Sequence, residues 1–196
     1  MMTADVEEAL RGFDVARARP PRLDGDVVYV VEDFAVGRLL LAARGDGVLL
    51  ASRYVADAAA EDAVLDRLAR AASPRVIRSP GALDEPRREL EEYLAGRRRR
   101  FGLSVEPMLA TGFQKVVLAA LADVRYGRTT SYGALAAAIG RPSAARAVGA
   151  ALGANPLCVV LPCHRVVASG GALTGYAGGL TAKRYLLALE AGGHPQ

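Results

Sequence analysis

The sequence predicts an α+β fold in two domains. Three observations carry that reading. Short β-branched and apolar runs crowd residues 27–54, whereas from Phe113 onward the chain is alanine-rich with helical apolar spacing. Between the two lies a stretch carrying Gly102, Pro107 and Gly112, which reads as a linker over 101–112. The expected organisation is an extension over 1–25, a first domain over 26–100, that linker, a second domain over 113–191 and a tail over 192–196.

Residues 1–25 show no sustained period; a short helix over Val6 to Phe13 is expected, ended by Pro20-Pro21. Val27 to Val31, Gly37 to Ala43 and Gly47 to Tyr54 are expected strands, the last two joined by a hairpin turn at Arg44-Gly45-Asp46-Gly47. Ala58 to Ala71 has helical spacing through Val64, Leu65 and Leu68, and Pro74 stops it. Arg75 to Arg78 is a short strand. Asp84 to Gly96 is a helix with Asp84 near its cap, Pro86 in its first turn and an apolar stripe of Leu90, Tyr93 and Leu94. Arg97 to Arg100 reads either as a phosphate contact or as a solvated helix end whose cations complement the dipole.

In the second half, Phe113, Val116, Val117, Ala120 and Leu121 share one helix face. Ser131 is an expected N-cap for Tyr132 to Ile139, Gly140 ends that helix, and Ser143 is an expected cap for Ala144 to Leu152. Two short helices joined by Gly140-Arg141-Pro142-Ser143 match a helix-turn-helix. The second of them has one charged side chain, Arg146, and no Asn, Gln or Lys to read base edges. It suits either ordinary packing or close approach to DNA without sequence preference. Val159 to Val167 reads as a buried strand interrupted by Pro162-Cys163-His164-Arg165, and Ala182 to Leu189 as an apolar helix ending at Glu190.

Apolar residues make up 52% of 196, enough for a core. No apolar run reaches membrane-spanning length, and the acidic N-terminus lacks a signal-peptide core, so a cytoplasmic protein without membrane contact is expected. The two cysteines, Cys158 and Cys163, suit a reducing compartment better than a disulfide framework. With His164 and His194 as the only histidines, no metal site and no cofactor are expected. Net charge is +4. Residues 101–196 carry Lys115, Arg125, Arg128, Arg141, Arg146, Arg165, Lys183 and Arg184 against Glu106, Asp123 and Glu190, so the second half is the one suited to a polyanion.

A thiol becomes a nucleophile as the thiolate, and a nearby imidazole can take its proton. Read alone, Cys163 is also compatible with a packed core thiol, Glu190 with a solvated helix end, and Cys158 with packing. Thr174-Gly175-Tyr176-Ala177-Gly178-Gly179 lacks the Gly-Lys-Ser/Thr of a phosphate loop; it suits either a wall against a planar ring or a hairpin turn.

Together these segments resemble the O6-alkylguanine-DNA alkyltransferases, also called methylated-DNA–protein-cysteine methyltransferases. The resemblance rests on Pro162-Cys163-His164-Arg165-Val166, on Gly175 to Leu180 with Lys183 and Leu186-Leu187, and on the upstream segments Phe113-Gln114, Tyr126-Gly127, Ser131-Tyr132-Gly133, Ala145 to Gly149 and Asn155-Pro156. It spans roughly residues 107–191. It implies a ribonuclease-H-like first domain and a mostly helical, winged-helix-like second one.

The resemblance further implies that Cys163 accepts the alkyl group from guanine O6 in duplex DNA once, irreversibly, after base flipping. His164 then takes the thiol proton through a water and Glu190 orients His164. Tyr132 donates toward the base N3, and Asn155 braces the turn. Arg146 replaces the extruded nucleotide, with Ala145, Ala147, Gly149, Ser131 and Thr130 at the DNA. Val166, Tyr176, Ala177, Gly178, Cys158 and Leu152 are expected around the base. The implied partner is double-stranded DNA carrying O6-alkylguanine, met by a monomer that can bind cooperatively. The first domain lacks the Cys and His with which some members hold zinc. Other readings are a lesion-binding relative without chemistry, a methylation-responsive regulator and a cysteine hydrolase; the reactive cysteine, the missing sensor domain and the need for an oxyanion hole weigh against them in turn.

Overall fold

The structure, a computed structural model, describes residues 26–193. The expected helix at Val6 to Phe13, the rest of the extension and His194 lie outside the described residues.

Four strands form one sheet: β1 (Val27–Phe34), β2 (Gly37–Arg44), β3 (Leu49–Tyr54) and β4 (Val76–Arg78), in the order β3-β2-β1-β4. β1 and β2 pair antiparallel through a tight turn at which Gly37 takes φ +115°, a value that favours glycine. Helix α1 (Ala58–Ala71) carries the chain to β4, which joins β1 in parallel. Asp57 caps α1 by accepting from the Ala60 amide at 2.8 Å. The expected strands and helices of this half are therefore present, with β1 three residues longer than read.

Alternation along the strands gives the sheet two apolar faces. Leu40, Ala42 and Leu50 pack with Val64 and Leu68 of α1. Val28, Val30, Leu39 and Leu41 pack with Leu90, Tyr93 and Leu94 of α2 (Asp84–Leu94), and also with Val159, Ala182, Leu186 and Leu189 from the second half. Each fully buried leucine contributes about 1.5–3 kcal/mol, so this shared cluster ties the two halves together.

The remaining helices are α3 (Gly112–Ala122), α4 (Tyr132–Ala138), α5 (Ala145–Gly153) and α6 (Gly179–Glu190). Thr111 and Gln114 start α3 with a reciprocal capping box. Ser131 caps α4 as expected, accepting from Ala134 at 3.0 Å. Ser143 does not cap α5; Pro142–Ala144 forms a 3-10 turn and the cap position falls to Ala144.

One further expectation needs correction. Val159 to Val167 is not a strand: Val159 adopts φ +70°, Leu161 makes an isolated bridge to Cys158, Cys163–Arg165 is a 3-10 turn, and Val166–Val167 (β6) pairs in parallel with Thr130–Ser131 (β5). Pro162 cannot donate, and a β-branched residue at positive φ is strained, so the apolar run is bent rather than extended. The stretch over 101–112 is anchored to the sheet. It lies along β3, where the Leu49 amide donates to Ser104 O at 2.9 Å and the Glu106 amide to Leu49 O at 2.9 Å.

Candidate active site

The 3-10 turn places Cys163, His164 and Arg165 together, all buried, beneath a cleft of about 740 Å³. The cleft is lined by Tyr132 and Gly133 of α4, Ala145, Arg146, Gly149 and Gly153 of α5, Ala168-Ser169, and Thr174 to Ala177 of the glycine-rich loop. Cys163 is 5% exposed and packs in one cluster with Leu152, Val166, Tyr132 and Tyr176.

Asn155 fixes the turn from below. Its Nδ2 donates to Leu161 O at 3.0 Å and to Cys163 Sγ at 3.2 Å, and its Oδ1 accepts from the Leu157 amide at 3.0 Å. Cys158 donates to Asn155 O at 3.4 Å. The neighbouring Cys158 thiol, the Asn155 Nδ2 hydrogen bond and the Lys183 charge together outweigh burial and hold the Cys163 thiol below its ordinary value. Engagement with Cys163, together with burial, pushes Cys158 well up. The two sulfurs are thus differentiated, and Cys163 is the one poised to ionise.

Behind the thiol, His164 Nε2 lies 2.7 Å from Glu190 Oε1. The Nδ1 of the same ring is buried and lacks a hydrogen-bond partner among the described residues. With Nε2–H donating to the carboxylate, Nδ1 is left as the acceptor, the tautomer a general base requires. Burial lowers the His164 pKa against the raising influence of Glu190, so the imidazole is neutral at neutral pH.

Glu190 is the hub. Arg165 Nε donates to its Oε2 at 3.0 Å and Nη2 to its Oε1 at 3.0 Å. The Gly127 amide donates to Oε2 at 2.9 Å, and the Tyr93 hydroxyl donates to Oε1. Burial acts upward, but the hydrogen bonds from His164, Arg165 and Tyr93 hold Glu190 at about 2. The solvated helix end considered from the sequence is therefore a buried, fully engaged carboxylate.

Lys183 is fully buried, donating to Val166 O at 2.7 Å and Thr174 O at 3.0 Å. It pins the glycine-rich loop over the site. That loop also meets the sheet: Tyr176 and Tyr54 hydroxyls are 3.4 Å apart, and their rings pack edge to face at 5.5 Å.

Of the residues expected at the site, Tyr132, Ala145, Arg146, Gly149, Tyr176 and Ala177 line the cleft. Beneath it lie two hydrogen-bonded pairs, Asn155 with Cys163 and His164 with Glu190, joined by the backbone of the turn. Leu152 and Val166 support that turn from the core and do not line the cleft. Cys158 is fully buried and acts on Cys163 instead of facing the cleft. Gly178 packs on Tyr54, where a Cβ would come within 2.4 Å of the ring. Ala147 is exposed on α5, while Thr130 and Ser131 are spent on pairing with β6 and capping α4.

The sequence marks Arg165 and Lys183 as cations of the basic half and Tyr93 as part of an apolar stripe, and none of them as a site residue. Arg165 stands inside the Pro-Cys-His-Arg motif, which signals it by position. Lys183 stands beside Arg184 in α6, and only the fold shows that the first is buried and the second exposed. Tyr93 is hidden in an ordinary apolar stripe and carries no local signal.

Residues 112–192 match the family described as "6-O-methylguanine DNA methyltransferase, DNA binding domain". A methylated-DNA–protein-cysteine methyltransferase of Mycolicibacterium paratuberculosis is 42% identical over 164 residues, covering 84% of this chain and 92% of the relative. One from Methanosarcina acetivorans is 48% identical over 106 residues, covering 54% and 67%. The crystal structure of Mycobacterium tuberculosis O6-methylguanine methyltransferase superposes with a TM-score of 0.73 at 38% identity, covering 86% of this chain and 95% of that one. A structure of the Mycobacterium tuberculosis protein in complex with DNA gives 0.71 at 37% identity, covering 84% and 93%. With sequence shared along 92% of the Mycolicibacterium relative and a mixed α/β fold shared along 95% of the Mycobacterium tuberculosis structure, the chain belongs to the methylated-DNA–protein-cysteine methyltransferase family.

Proposed function

We propose that this protein repairs DNA directly, by moving the alkyl group of O6-alkylguanine in a duplex onto Cys163. The observation that carries this is the set of groups on one turn: a thiol held low by its neighbours, a buried neutral imidazole next to it in the chain whose Nδ1 has no partner among the described residues, and Glu190 on that imidazole. His164 Nδ1 takes the thiol proton through a bridging water. The thiolate attacks the alkyl carbon, an S–C bond forms, and the C–O6 bond breaks with its electrons passing to guanine. Tyr132 donates toward N3 as that charge develops, and its hydroxyl already accepts from Thr174 at 3.0 Å, leaving its own proton free. The thioether has no hydrolysis step, so each chain acts once.

A base in a duplex is out of reach of a thiol beneath a cleft, so the nucleotide is flipped. Arg146, exposed at the cleft mouth on a helix of small residues, takes its place in the stack. The fold reading behind this is a ribonuclease-H-like unit over 26–100 and a winged-helix-like unit over 113–191. The protein acts in the cytoplasm as a monomer that can line up cooperatively along DNA.

Intact mass after incubation with duplex carrying O6-methylguanine tests the proposal. One added methyl mapped to Cys163, at one per chain, supports it. Repeated turnover, or methyl on Cys158, overturns it.

A further inference from the structure

We propose that Tyr93 is a positioning residue for alkyl transfer, contributed by the sheet-bearing half: it donates to the Glu190 oxygen that holds His164 and so sets the basicity of that imidazole. The proposal rests on the reading above, in which His164 takes the Cys163 proton.

Tyr93 is 1% exposed, and its hydroxyl donates to Glu190 Oε1 while lying 3.4 Å from His164 Nε2. It therefore shares one carboxylate oxygen with the imidazole N–H. The ring has little freedom to leave: Phe101 stacks tilted at 4.9 Å and Tyr126 meets it edge-on at 6.0 Å. Nothing in packing alone requires a hydroxyl at this point, since Leu90 and Leu94 complete the same face of α2 with hydrocarbon.

A phenol hydrogen bond draws negative charge out of the carboxylate. A carboxylate so engaged attracts the imidazolium less, and the imidazole releases its proton at lower pH. Facing the His164–Glu190 pair are Arg165 from the turn, Lys183 from α6, Tyr126 after α3, Tyr176 from the glycine-rich loop and the Cys163 thiol. Arg165 and Lys183 are the cations of this set, and both act on His164 in the same direction as Tyr93. Tyr93 differs from them in origin: α2 precedes the alkyl-acceptor half and reaches its machinery through this hydroxyl.

The test uses the full chain with Tyr93→Phe, which keeps the ring and removes the donor. Single-turnover methyl transfer from O6-methylguanine duplex is followed against pH, and the imidazole signals are titrated by NMR, a tractable assignment with two histidines in the chain. The expected result is that the acid limb of the rate profile and the His164 midpoint both move up by roughly half to one pH unit. The rate on the alkaline plateau stays within about twofold. Replacing Tyr93 alone by 3-fluorotyrosine, a stronger donor, moves both downward, and this variant decides the matter if the phenylalanine variant does not fold. A limb and midpoint left in place, with activity lost evenly at every pH, overturn the proposal and leave Tyr93 a packing residue. Methyl found on a residue other than Cys163 in the wild-type chain overturns the underlying site reading as well.

Discussion

His164 Nε2 sits 2.7 Å from Glu190 Oε1, and both groups are buried in one hydrogen-bonded unit with Arg165. Both hold their protons less tightly in the folded chain than outside it: His164 lies below its ordinary 6.5 and Glu190 at about 2 instead of 4.5. The unfolded chain therefore binds more protons at acid pH. Stability should begin to fall as pH drops below about 6.5, where His164 protonates in the unfolded chain. It should fall further from about 4.5 down to about 2 as the Glu190 contribution is lost. Denaturant midpoints measured across that range check this; a flat profile from about pH 7 to pH 4 would contradict the buried pair.

Asn155→Ala should be costly twice over. It strips the donor from Leu161 O and from Cys163 Sγ and the acceptor from the Leu157 amide, all at a fully buried position. A buried backbone group left unsatisfied costs about 1–3 kcal/mol. Chemical denaturation should show that loss, and thiol titration should show Cys163 ionising at higher pH.

Arg146→Ala should separate flipping from chemistry. Arg146 lines the cleft, whereas Cys163 is not among its lining residues. Repair in duplex should slow by roughly tenfold or more, the cost of losing a wedge in the stack. Reaction with the free modified base should change little. Equal losses in both assays would remove the wedge role.

Gly178→Ala should disturb the loop through the sheet. The new Cβ would fall 2.4 Å from Tyr54 Cζ, so the Tyr176 segment must move. Methyl transfer should drop severalfold, and adding Tyr54→Leu should restore part of it by relieving the overlap. A double variant no better than the single one would place the defect in the loop itself.

The elements legible from sequence are those whose pattern is local. Strand alternation at Val27 to Tyr54, the Val64-Leu65-Leu68 stripe and the Ser131 cap each report their own structure. The turn at Val159 to Arg165 does not, because its run of apolar residues, largely or partly buried, has the same composition as a buried strand. For the same reason Ser143 read as a cap: its chemistry suits the role, but Pro142 winds the entry as a 3-10 turn instead. Within the site, the motif residues Cys163, His164 and Arg165 announce themselves. Cys158 is close to Cys163 in sequence but is brought to bear on it only by the bend between them, and no spacing in the chain reports that Tyr93 meets Glu190 across 97 residues.

The outer edge of β3 carries one more consequence. Ser52 donates its amide to Pro156 O at 2.8 Å, accepts from the Cys158 amide at 2.8 Å and donates its hydroxyl to Cys158 O at 2.9 Å, while residues 104–106 cover the edge near Leu49. A bare strand edge invites pairing with another chain. Here the segment leading to the reactive thiol serves as the cover, so a change that loosens that segment also uncovers a template for aggregation. Variants selected for a roomier pocket by remodelling residues 156–158 should therefore lose solubility before they lose chemistry.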